Sequence, residues 1–124
     1  MTIRVLLADD HALMREGLRA LLTTAPDIEV IGEVGTGREA ERQVLQLNPD
    51  VVLMDVAMPD LNGIEAARAI HLKFPAIRIV MLSMHATVEY VYRAFEAGAS
   101  GYLLKEAAVE EVITAVRTVH GGGR

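Results

Sequence analysis

Short apolar runs alternate along the chain with segments whose apolar residues recur every three or four positions. This pattern predicts strands over 3–8, 28–34, 51–54, 78–82 and 101–104, and helices over 11–24, 37–47, 63–74, 87–97 and 107–120. In the first helix Met14, Leu18, Leu21 and Ala25 share a face. In the last, Val109, Val112, Ile113, Val116 and Val119 do so. The run Val51-Val52-Leu53-Met54 shows no alternation, as expected of a strand covered by helices on both faces. Strands and helices in strict alternation imply an α/β domain with a parallel sheet and right-handed crossovers.

Punctuation supports these boundaries. Thr36-Gly37-Arg38-Glu39 and Asn62-Gly63-Ile64-Glu65 each carry a polar cap side chain followed three residues later by glutamate. Gly98 stands where a helix would end in a left-handed turn. Pro26, Pro49 and Pro75 each fall between a helix and the next strand, where a missing N–H costs nothing. The expected division is one domain over residues 1–120, with Gly121-Gly122-Gly123-Arg124 (121–124) opening a flexible linker.

Composition narrows the class. A chain of 124 residues, 52% hydrophobic, suits one core. Its net charge of -5 argues against an unaided grip on nucleic acid or an anionic membrane. With no cysteine, disulfides and thiolate metal sites are excluded, which fits a cytoplasmic location. The start lacks a signal-peptide pattern, and no apolar run reaches the roughly 20 residues of a membrane span.

The chemistry sits at strand ends. Asp9 and Asp10 close the first apolar run, Asp55 the third, Ser83 the fourth, and Lys105 follows the fifth. In a doubly wound parallel sheet these ends lie along one edge, where ligands bind. Unpaired acids resist burial, so packing does not explain them. Three carboxylates with one ammonium form an oxygen-lined pocket for a hard divalent cation, and magnesium suits it, with manganese able to replace it. Asp55 could then attack phosphorus as a nucleophile, with Lys105 and the Ser83 hydroxyl meeting the transferring oxygens.

Read together, Leu7-Ala8-Asp9-Asp10-His11, Val52-Leu53-Met54-Asp55-Val56-Ala57-Met58-Pro59, Asn62-Gly63, Leu82-Ser83 and Gly101-Tyr102-Leu103-Leu104-Lys105 carry a family resemblance. The chain resembles, from end to end, a receiver domain of a two-component response regulator. Its opening and ending are most similar to LuxR/NarL-type transcription regulators. The resemblance implies the CheY-like, flavodoxin-like fold: five parallel strands in order 2-1-3-4-5 between five helices. It implies that Asp55 accepts phosphate from a sensor histidine kinase, with Asp10, Asp55 and the Ala57 main-chain carbonyl on magnesium and Asp9 acting through water. Ser83 and Lys105 would hold the phosphoryl oxygens, and Tyr102 would be the switch aromatic. The output surface would be the fourth helix, fifth strand and fifth helix, with DNA reached only through a C-terminal domain absent here. Such a domain phosphorylates and dephosphorylates slowly rather than turning over substrate. Glu106 departs from the pattern, since many receivers place proline after the lysine.

Other readings compete. A magnesium phosphatase of similar architecture would use Asp60 as its second acid. A phosphate-independent interaction module would leave the acid–serine–lysine set without purpose. Gly35-Thr36-Gly37-Arg38-Glu39-Ala40 resembles a dinucleotide fingerprint, yet it leaves Asp9, Asp10 and Lys105 idle. His11 and His85 fall near the edge without ligand-type spacing, which sets zinc aside. Asp9 and Asp10 could cap the first helix. Ala57 and His85 should border the phosphoryl group. The first and last helices, and Tyr90 and Tyr92, offer surfaces for a homodimer.

Overall fold

The computed structural model describes residues 2–59, 61–85 and 87–121. Strands β1 (Ile3–Ala8), β2 (Ile28–Val34), β3 (Val51–Asp55), β4 (Arg78–Ser83) and β5 (Gly101–Leu104) alternate with helices. These are α1 (Ala12–Thr23), α2 (Gly37–Leu47), α3 (Gly63–Lys73), α4 (Val88–Glu96) and α5 (Lys105–His120). The strands form one parallel sheet in the order β2-β1-β3-β4-β5, as expected. Positions 122–124 of the expected linker, and Asp60, lie outside the described residues.

The two-residue period of the strands divides the core in two. Leu6, Val52, Met54, Ile79 and Met81 pack with Ala40, Val44, Ala67, Ile70 and Ala94 of α2, α3 and α4. Val5, Leu7, Leu53, Val80 and Leu82 pack on the other face with Leu18, Leu22, Val112 and Val116 of α1 and α5. Each fully buried Val, Leu, Ile or Met side chain among them contributes roughly 1.5–3 kcal/mol of transfer free energy, and each alanine methyl less. Burial of all five β3 residues accounts for its unbroken apolar run.

The helix faces differ in detail from expectation. On α1, Leu22 is fully buried, whereas Leu21 is only partly so. On α5 the buried row is Ala108, Val112, Val116 and Val119, and Val109 stands 58% exposed on the flank beside α1. This row advances about 100° per residue and carries Val109 past the contact line.

Caps behave as the sequence implies. Thr36 Oγ1 accepts from the Glu39 N–H at 3.1 Å, and Asn62 Oδ1 from the Glu65 N–H at 3.0 Å. Gly98 takes φ +108° after α4, and the Gly98 and Ala99 N–H groups return to the carbonyls of Phe95 and Ala94. These paired bonds make a Schellman ending. Gly63 does more than turn the chain. A Cβ there would stand 1.8 Å from the Asp55 carbonyl oxygen, so only glycine lets α3 start against the end of β3.

Candidate functional site

β3 and β4 each run one residue further than the pattern predicts, so Asp55 and Ser83 are the last residues of their strands. Alternation then decides where their side chains point. Asp55 follows the parity of Leu53, on the α1/α5 side, and Ser83 follows that of Met81, on the α3/α4 side. Lys105 begins α5 two residues earlier than expected, directly after β5. Side chains lean toward the start of a helix, which carries the Lys105 ammonium back to the strand edge. A cation opposes the helix dipole there, so its position relies on carboxylate partners.

Those partners are present. Lys105 Nζ lies 2.9 Å from Asp55 Oδ2 and 3.1 Å from Asp9 Oδ2, and all three residues are buried. Asp55 Oδ1 accepts from the Ala57 N–H at 3.2 Å. Asp9 Oδ1 accepts from the His11 N–H at 2.8 Å, and Arg15 Nη1 donates to the Asp9 carbonyl. Capping does not explain the acids: His11 is the N-cap of α1, which has no side-chain cap bond. The Lys105–Glu106 peptide is trans.

The acids crowd each other. One carboxylate oxygen each from Asp9, Asp10 and Asp55 lies within 4.8 Å of the others, and a ring nitrogen of His11 joins them. Burial pushes the Asp55 carboxyl up to about 6, against hydrogen bonding from Lys105, and the neighbouring Asp9 charge adds to the rise. Burial lowers the Lys105 ammonium, but bonding to Asp55 and Asp9 outweighs it and leaves its pKa raised. Three carboxylates and one ammonium sum to −2, the charge a divalent cation cancels. Asp9 Oδ2 is buried, without a hydrogen bond among the described residues, and ion-paired with the Lys105 ammonium. The donor set therefore fits a divalent cation.

A crevice of about 130 Å³ opens beside this cluster, bordered by His11, Asp55, Ala57, Ser83, His85 and Lys105 among others. The Ser83 hydroxyl accepts from the His85 N–H at 3.0 Å, and Tyr102 Oη donates to the His85 carbonyl at 2.7 Å. One residue of the β4–α4 loop thus holds both. Its ring also stacks on Tyr90, with centroids 5.6 Å apart.

Asp9, Asp10, Asp55 and Lys105 come together as the sequence implies, and Ser83 borders the crevice while bonding its own loop. His11 was missed as a member of the cluster. Its Nδ1 is 3.1 Å from Asp9 Oδ1, 3.3 Å from Asp10 Oδ1 and 3.1 Å from Lys105 Nζ. The only sequence signal was its place directly after the aspartate pair.

Fold and site define a doubly wound domain with an acid–lysine pocket at the carboxyl edge of its sheet. Comparison with known proteins gives the class a family. The response regulator receiver domain matches residues 5–117, and the chain belongs to that family. The transcriptional regulatory protein MctR of Rhizobium johnstonii is 48% identical over 124 residues, covering 98% of this chain and 56% of MctR. A LuxR-family two-component response regulator from an Aurantimonas species superposes with a TM-score of 0.95 at 39% identity, covering 100% of this chain and 89% of that one. The signal receiver domain of NarL from Mycobacterium tuberculosis gives 0.93 at 34% identity, covering 98% of each. The chain spans little more than half the length of the curated relatives it matches. Receiver domains are phosphorylation-dependent signalling switches rather than classical enzymes, and they typically bind magnesium at an acidic pocket. Among the described residues no helix is long and apolar enough to cross a membrane.

Proposed function

We propose that Asp55 is the phosphoacceptor of this switch. The observation that carries the reading is the buried contact between Lys105 Nζ and Asp55 Oδ2 at 2.9 Å, from residues fifty positions apart. An Asp55 carboxylate oxygen attacks the phosphorus of a phosphohistidine on a sensor kinase. An O–P bond forms, the P–N bond breaks, and the leaving imidazole recovers a proton. Hydrolysis reverses the gain: water attacks phosphorus, the Asp55 O–P bond breaks, and inorganic phosphate leaves. Both steps run slowly and without substrate turnover in the enzymatic sense.

Asp10, Asp55 and the Ala57 carbonyl would hold magnesium directly, with Asp9 acting through water. The ion would supply charge stabilisation for the transferring oxygens. Lys105 follows the new phosphoryl group and neutralises part of its charge. Ser83 donates its hydroxyl to a phosphoryl oxygen and in doing so gives up the His85 N–H. Tyr102 then responds through the same loop, and the surface of α4, β5 and α5 changes. In the whole protein this surface would control DNA binding by a C-terminal domain, with a homodimer as a further partner.

Incubation with magnesium and acetyl phosphate tests the assignment. Intact mass should show one hydroxylamine-labile phosphoryl group on the parent protein and none on Asp55→Ala. Equal labelling of both proteins would overturn it.

A further inference from the structure

The His11 ring stands in an arrangement that the phosphoacceptor role leaves unexplained. Its side chain is 62% exposed, yet Nδ1 is turned inward among Asp9 Oδ1 at 3.1 Å, Asp10 Oδ1 at 3.3 Å and Asp55 Oδ2 at 3.8 Å. The Lys105 ammonium approaches the same nitrogen at 3.1 Å. Accepting from that ammonium requires the tautomer with its proton on Nε2, which leaves the Nδ1 lone pair facing carboxylates. The Lys105 ammonium is the cation that meets this lone pair, and the same nitrogen remains within reach of three carboxylates.

The spacing matches a coordination shell. Bonds of about 2.0–2.1 Å place neighbouring ligand atoms about 3.0 Å apart at octahedral angles and about 3.3 Å at tetrahedral ones. The distances from Nδ1 to Asp9 and Asp10 fall on those values, and the contact to Asp55 is within half an ångström of them. The other oxygen of the Asp9 carboxylate, Oδ2, is buried beside the Lys105 ammonium at 3.1 Å, so Oδ1 is the oxygen that faces the His11 nitrogen.

We propose that His11 supplies a nitrogen ligand to this pocket through Nδ1, so that it takes zinc-class divalent cations as well as magnesium. Imidazole suits zinc, nickel and copper, whereas magnesium prefers oxygen and keeps its waters. Affinity for the two classes of ion therefore divides at His11. Zinc held by His11 and the aspartates would occupy Asp55 and compete with its phosphorylation.

The inference rests on the acidic pocket being the ion site of the phosphoacceptor reading, and one set of titrations separates the two. Calorimetry with Zn²⁺ and, separately, Mg²⁺ is run on the parent, His11→Ala and Asp55→Ala proteins, with thermal melts to show that each is folded. His11→Ala should weaken zinc binding about tenfold or more while changing magnesium affinity far less. Asp55→Ala should weaken both. If zinc affinity survives either substitution, or falls no more than that for magnesium in His11→Ala, the nitrogen-ligand inference is overturned. If magnesium affinity survives Asp55→Ala, the phosphoacceptor site itself is misassigned, whatever His11 does.

Discussion

At the scale of single residues, the pocket stores a repulsion that folding has to overcome. Asp55 has a folded pKa of about 6 against 3.8 for the free side chain, the first cause being burial. A carboxyl raised in this way binds more protons folded than unfolded between those values. Stability therefore falls as pH rises from about 4 to about 6, then levels off. Asp55→Asn removes that charge. In chelator at pH 7 it should stabilise the domain on the order of 2 kcal/mol, discounted for solvent screening. The expected rise in Tm is roughly 5–10 °C for a domain of this size. The gain should vanish at pH 4 and shrink when magnesium is added, because the ion stabilises only the acidic pocket. Melts of the two proteins across pH read this directly, and a variant less stable at every pH would contradict it. Two further side chains border the same crevice, Ala57 and His85. Ala57→Arg should slow loss of the phosphoryl group severalfold by covering the approach of water, and His85→Ala should speed it. Unchanged decay of the phosphorylated species in both variants would show that neither controls that approach.

At the scale of elements, close approach explains why strand ends, loops and helix starts fit together only one way. A Cβ on residue 98 would meet the His71 ring at 2.3 Å, at a φ that side chains rarely adopt. Gly98→Ala should therefore cost about 1–3 kcal/mol for the backbone alone, read as a lower denaturation midpoint with phosphorylation of Asp55 retained. Gly63→Ala should do the opposite kind of damage. It pushes α3 off the Asp55 carbonyl, so labelling by acetyl phosphate should fall more than stability does. Most of this layer was legible in the sequence, because apolar runs, caps and prolines are local signals. The order of the sheet came from family resemblance and is what the structure has. What stayed illegible depended on contacts between distant segments. Val109 reads as core by its spacing, but it falls at the edge of the buried row of α5 and stands exposed. The start of α5 at Lys105 reflects carboxylates that arrive from β1 and β3. His11 lies beside an acid pair that the sequence does reveal, yet nothing local says that its ring folds back among them.

At the scale of the whole molecule, the question is how an event at Asp55 reaches the face formed by α4, β5 and α5. His85 is the meeting point: its N–H holds Ser83 and its carbonyl holds Tyr102, while its ring rests on Tyr90 of α4. A Ser83 hydroxyl that turns to a phosphoryl oxygen frees the His85 N–H, and the loop can then move with α4 and the Tyr102 ring. Removing the Tyr102 hydroxyl cuts one of these ties without touching the pocket. Tyr102→Phe should accept phosphate at close to the parental rate. In the unphosphorylated protein, amide exchange in the β4–α4 loop should become severalfold faster, because one restraint on the loop is gone. Phosphorylation should then change that exchange less than it does in the parent. Linkage makes the coupling reciprocal: a partner that prefers the altered face must also favour phosphorylated Asp55, and Tyr102→Phe must weaken both effects together. A Tyr102→Phe protein with parental loop exchange, whose partner preference still responded fully to phosphorylation, would place the coupling elsewhere in the fold.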